Sequence, residues 1–88
     1  MSTTSQKHQN FVSEVMGEKS VKTVPGIDNT TANRLEQQGY VQAKQLLGSY
    51  LTNTQADFIS MLGAKANVNR DNANRAYNAM KTWENNFL

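Results

Sequence analysis

Apolar residues along the chain recur at intervals of three and four and never alternate over the length of a strand, which predicts an all-α fold. The clearest period lies at Ala43, Leu46, Leu47, Tyr50 and Leu51, spaced i, i+3, i+4, i+7 and i+8, one continuous stripe on one helix. That stripe holds more apolar surface than five short helices are expected to cover, and so it predicts a symmetric dimer. Thr54 followed by Asp57 resembles a capping box with the shorter acid, opening a helix that carries Phe58, Met61 and Leu62 and ends at Gly63. A last helix from about Asn69 presents Ala73, Ala76, Tyr77, Met80, Trp83 and Phe87. At the other end, a helix capped by Thr4 or Ser5 is expected to bury Phe11, Val12 and Val15.

Between the first helix and the stripe, "MGEKSVKTV" reads as a loop with a short helical turn leading to Pro25, the sole proline. The stretch that follows, "VPGIDNTTANRLEQQGY", encloses a polar helix between Gly26 and Gly39. Asp28 is placed to cap it, with Ile27 stapled onto Ala32 and Leu35 turned to the core. Gly39 suits the left-handed position after the helix, and Tyr40 can pack back on Leu35 in a Schellman motif. The whole predicts a compact five-helix bundle.

Eighty-eight residues form one domain with one small core, so a single domain over 1–88 is expected. With no cysteine there is no disulfide framework, thiolate metal site or cysteine nucleophile. A net charge of +2, spread over both halves, allows nucleic acid as a partner without demanding it. No apolar run approaches a membrane span, and "MSTTSQKHQN" is too polar for a secretory segment, so an intracellular, soluble protein is expected. Eleven Asn and seven Gln sit inside periodic apolar patterns rather than in runs, which makes them a neutral solvent face and not a low-complexity tract.

Catalysis lacks its parts. His8 is the lone histidine, in a polar N-terminal turn with no ligand-type residue at i+4, and reads as an exposed surface residue rather than a metal ligand. The acids Glu14, Glu18, Asp28, Glu36, Asp57, Asp71 and Glu84 are scattered and offer no carboxylate pair for acid–base work. No enzyme, metal or cofactor is expected. What remains is the Gly-Ile hairpin before a helix, whose N-terminus offers unpaired N–H groups and the positive end of the helix dipole to an anion. By itself the hairpin is a weak signal, and a plain turn between helices is the preferred reading.

The run "TTSQKHQNFVSEVMGEKSV", then "GI", "LEQQGY", "AKQLLGSYL" and a terminal "W…FL", resembles the barrier-to-autointegration factor family along nearly the whole chain. The resemblance implies a small helical homodimer with a helix-hairpin-helix element on each subunit, bridging double-stranded DNA without sequence preference. It implies chromatin and nuclear envelope roles, a nuclear and cytoplasmic distribution, and LEM-domain proteins of the inner nuclear membrane, lamins and histones as partners. Position by position, Ser5, Gln6 and Lys7 match the family's N-terminal DNA contacts. Gly26 and Ile27, with Asp28 beside them, match the hairpin that meets phosphate, and Arg34 a basic contact on the next helix. Thr3, Thr4 and Ser5 match the stretch phosphorylated by vaccinia-related kinases, where each phosphate adds about −1.5 to −2 charges. Gly48 and Leu51 match the helix that builds the dimer.

The chain departs from the family pattern at four places that bear on partners. Asp28 replaces the second hairpin glycine and sets a carboxylate where phosphate approaches; Asn33 and Asp71 stand where the family is basic. Asp57 stands at an apolar family position used towards LEM domains. Two functions follow: a DNA-bridging chromatin protein weaker than a typical member, or a paralogue with weakened DNA binding that acts through protein contacts, for instance as a heterodimer with a typical member.

Overall fold

The computed structural model describes residues 5–88. Among them five α-helices form: α1 (Gln6–Ser13), α2 (Asn29–Gln37), α3 (Ala43–Thr52), α4 (Gln55–Ala66) and α5 (Arg70–Phe87), with one 3-10 turn at Val21–Thr23. The only extended pairing among the described residues is a single bridge between Ser20 and Gln42. It pins the loop to the head of α3, Val21 N–H donating to Val41 at 3.0 Å and Ala43 N–H to Lys19 at 2.8 Å.

Each start has a local chemical cause. Ser5, Asp28, Thr54 and Asn69 all stand in extended conformation and accept the N–H three residues on, at His8, Thr31, Asp57 and Asn72. The carboxylate of Asp28 does so at 2.8 Å. At the end of α2, Tyr40 N–H donates to Leu35 and Gly39 N–H to Glu36, with Gly39 at φ 94°, which is the Schellman pairing expected from the sequence. Ile27, Ala32 and Leu35 are fully buried, as the staple requires.

α5 is the spine. α1 lies along it, and α4 packs on its other side. Ala73, Ala76 and Ala79 let neighbouring backbones approach, while Met80 and Trp83 fill the gaps. Trp83 donates its indole N–H to the carbonyl of Glu14 at 3.0 Å, and Asn86 donates to that of Val12 at 2.9 Å. These bonds satisfy carbonyls at the end of α1 that no capping residue serves. Tyr50, Phe58 and Tyr77 form an aromatic cluster with centroids 5.3 to 6.1 Å apart, and the Tyr50 hydroxyl donates to Glu84 at 2.8 Å.

Four expectations are corrected. Val15 is 70% exposed, and Met16 takes its place in the core, because α1 stops at Ser13 and the chain turns there. α4 runs past Gly63 to Ala66; the left-handed residue that ends it is Asn67, at φ 55°. The α3 stripe is covered by the chain itself: Ala43, Leu46, Leu47 and Tyr50 are buried against the rest of the molecule, and Leu51 alone of the five is exposed. Surplus apolar surface is therefore not an argument for a dimer. His8 is half-buried rather than exposed.

Candidate functional site

The hairpin owes its shape to three residues. Pro25 sets φ before Gly26, which turns at φ 86°, a conformation that L side chains rarely adopt. Ile27 N–H donates to Val24 at 3.1 Å and closes the turn, while the Ile27 side chain is buried. The Ile27 side chain is thus out of a ligand's reach, and Ile27 serves to fix the turn. Gly26 has a second reason to be glycine: a Cβ there would overlap the Asn72 carbonyl of α5 and stand 3.2 Å from the Arg75 Cβ. The hairpin is seated directly on the first turns of α5.

At the start of α2 only Thr31 N–H has a protein acceptor, the Asp28 carboxylate. Among the described residues the N–H groups of Gly26, Asp28, Asn29 and Thr30 have none. Asp28, Asn29 and Thr30 are exposed, so these donors face solvent at the positive end of the α2 dipole. Four donors on consecutive turns of backbone suit an oxyanion.

Lys7 reaches this hairpin from α1. Its Nζ donates to the Ile27 carbonyl at 2.6 Å, which leaves two protons for another acceptor. Burial pulls the Lys7 ammonium below its ordinary pKa, and the Asp28 carboxylate works against that shift. Asp28 is held below the usual carboxylate range, first by the Thr31 N–H, then by the Thr31 hydroxyl, with the charges of Arg34 and Lys7 adding to it. The carboxylate therefore stays ionised beside the donors and between the two cations. Arg34 is exposed, and its guanidinium donates to the Ala66 carbonyl at the end of α4 at 3.3 Å.

Ser5 and Gln6 open α1: Ser5 caps the helix, and Gln6 donates to Asn10 at 2.8 Å. Thr3 and Thr4 fall outside the described residues. Gly48 and Leu51 lie apart from the hairpin, both exposed on the outer face of α3, with nothing within 4 Å of a Cβ built on Gly48. Asn33, Asp57 and Asp71 are exposed on α2, α4 and α5.

The structure adds two residues that the sequence pattern did not single out, Arg75 and Asn78. Together with Ser5, Lys7, His8 and Gly26 they line an open groove of about 560 Å³ between α1, the hairpin and α5. Local spacing could not find them, because they are some fifty residues from the hairpin they face; an Asn72–Arg75 step on the polar side of α5 was the only signal.

The arrangement is equipped to hold an anion. Cations and backbone donors converge, while among the described residues no three His, Cys, Asp or Glu side chains gather as a metal would need. Among the described residues no helix is long and apolar enough to cross a membrane. That defines a small helical domain built around anion contacts. A family model described as barrier to autointegration factor matches residues 2–87. Among known proteins, barrier-to-autointegration factor B of Xenopus laevis is 39% identical, with all of both chains covered. The factor of Drosophila melanogaster is 38% identical over the whole of both chains, and that of Homo sapiens 34% identical over 98% of this chain and 99% of its own. The chain belongs to the barrier-to-autointegration factor family. At the level of the family this means a non-enzymatic, DNA-binding protein with a nuclear, chromatin-related role.

Proposed function

We propose that the chain, as one domain over residues 1–88, binds double-stranded DNA through its phosphates without reading sequence and bridges duplexes as a homodimer in chromatin and nuclear envelope assembly. The observation that carries this reading is the set of four unpaired N–H groups on Gly26, Asp28, Asn29 and Thr30, with Lys7 tethered beside them. Backbone donors of a helix-hairpin-helix element contact phosphate regardless of base. Gly26 and Asp28 supply main-chain N–H contacts, with Ile27 holding the turn that presents them; Ser5, Gln6 and Lys7 add contacts from α1, and Arg34 adds a flanking cation. One such site per chain bridges two duplexes when two chains pair, and the exposed Gly48 and Leu51 on α3 suit that pairing. Phosphorylation at Thr3, Thr4 or Ser5 would bring charge to the start of α1 and oppose DNA there. LEM-domain proteins, lamins and histones are the partners that fit a nuclear and cytoplasmic chromatin protein of this kind.

One observation favours a second reading. The Asp28 carboxylate occupies Thr31 N–H and stands ionised where phosphate would approach, and Arg34 is engaged with Ala66. A paralogue with weakened DNA affinity, acting as a heterodimer with a typical member, uses the same fold. A titration of short duplexes of two unrelated sequences at several salt concentrations tests both. DNA bridging requires similar affinity for the two sequences and a fall in log affinity of about 0.9 per log unit of salt for each phosphate neutralised. Failure to shift either duplex favours the protein-contact reading.

A further inference from the structure

We infer that Arg75 makes a DNA phosphate contact from the second turn of α5, opposite Lys7 across the groove. The inference rests on the DNA-binding reading and adds to it a residue outside the hairpin and outside α1. Three observations carry it. First, Arg75 springs from α5 right beside the hairpin: its Cβ is the side-chain atom nearest to where a Gly26 Cβ would stand, at 3.2 Å. A phosphate arriving at the groove from solvent therefore meets this side chain at the hairpin.

Second, the groove is cationic on both walls. Lys7 lines it from α1 and Arg75 from α5, and none of its lining residues is acidic. A guanidinium offers two parallel donors to a phosphodiester.

Third, Arg75 is uncommitted. Asp71 lies four residues earlier on α5, the spacing at which an acid pairs with a following base, yet the one ion pair among the described residues is that of Lys19 with Glu14. Lys7 by contrast is bonded to Ile27 and faces Asp28, and Arg34 is bonded to Ala66. Of the cations at the hairpin, the one on α5 is therefore the most available to phosphate.

The test compares the full-length chain with Arg75→Gln, which keeps most of the stem, and Lys81→Gln, which removes a charge from the same helix outside the groove. Each is titrated with one short duplex at several salt concentrations, after circular dichroism has established an unchanged thermal midpoint. Arg75→Gln is expected to weaken binding several-fold and to lower the salt slope by about 0.9, with Lys81→Gln close to wild type. An unchanged slope in Arg75→Gln, or equal losses in the two variants, overturns the contact while leaving DNA binding standing. Absence of binding by the wild-type chain removes the DNA-binding reading itself, and this contact with it.

Discussion

Gly26 meets Asn72 backbone to backbone, so closely that a single added Cβ would overlap the Asn72 carbonyl. The conformation of the hairpin and the seating of α5 thus depend on one missing side chain. Gly39 has a similar positive φ and open space around it. Gly39→Ala should therefore cost only the backbone strain, about 1–2 kcal/mol, whereas Gly26→Ala adds an overpacking penalty of about 1–3 kcal/mol. Urea unfolding of the two variants separates the terms; equal losses would mean that α5 gives way without effort.

Asp28 combines a benefit to the fold with a hindrance to an anion, and two substitutions divide them. Asp28→Asn keeps a side-chain oxygen for Thr31 N–H and removes the charge, so it should tighten duplex binding with little change in thermal midpoint. Asp28→Gly should tighten it as well, with a small drop in midpoint. Unchanged affinity in both folded variants would mean that the carboxylate does not oppose phosphate.

The same carboxylate sets a pH dependence. Its pKa is lower in the folded chain than in the unfolded one, so its contribution is complete above the ordinary carboxylate range and is lost as pH falls through the folded value. The midpoint of the wild-type chain should fall relative to Asp28→Asn on acidification below about pH 4. Parallel curves would remove the hydrogen bond to Thr31 as the cause.

Tyr50 gives the opposite test at high pH. Burial, with the Glu84 hydrogen bond, pushes its hydroxyl from 10.0 up to about 12. The unfolded chain then releases its proton first, so stability is fully present below pH 10 and declines as pH rises towards 12. Tyr50→Phe keeps the ring cluster and should lose about 1 kcal/mol at neutral pH. It should also show a shallower decline in alkali, followed by thermal unfolding.

Much of this was legible in the residues, where the cause is local. Asp28, Thr54 and Asn69 announce helix starts, and Gly39 with Tyr40 announces an end, because each acts within one turn of its own position. Gly63 misled because glycine inside a helix costs little when a better left-handed terminator, Asn67, follows. The period of α3 was read correctly, but what covers a stripe is decided by elements elsewhere in the chain. For the same reason Arg75 was missed and the close contact behind Gly26 went unsuspected: Asn72 and Arg75 reach the hairpin only through the fold.

The α3 surface carries the assembly prediction. Gly48 is exposed and no atom obstructs a side chain there. Gly48→Glu should leave the single chain folded, and even gain helix propensity of up to about 0.5 kcal/mol, while splitting a pair of chains packed at that point. Sedimentation should then give half the wild-type mass; a persisting dimer would place the contact elsewhere.

The bonds from Trp83 and Asn86 to the carbonyls of Glu14 and Val12 join segments some seventy residues apart. During synthesis the first helix emerges early but finds its resting place only when the last has left the ribosome, since α5 is the surface it lies on. The groove that Lys7 and Arg75 share is therefore closed only after α5 has been made. A nascent chain already holding the hairpin would still lack its opposite wall.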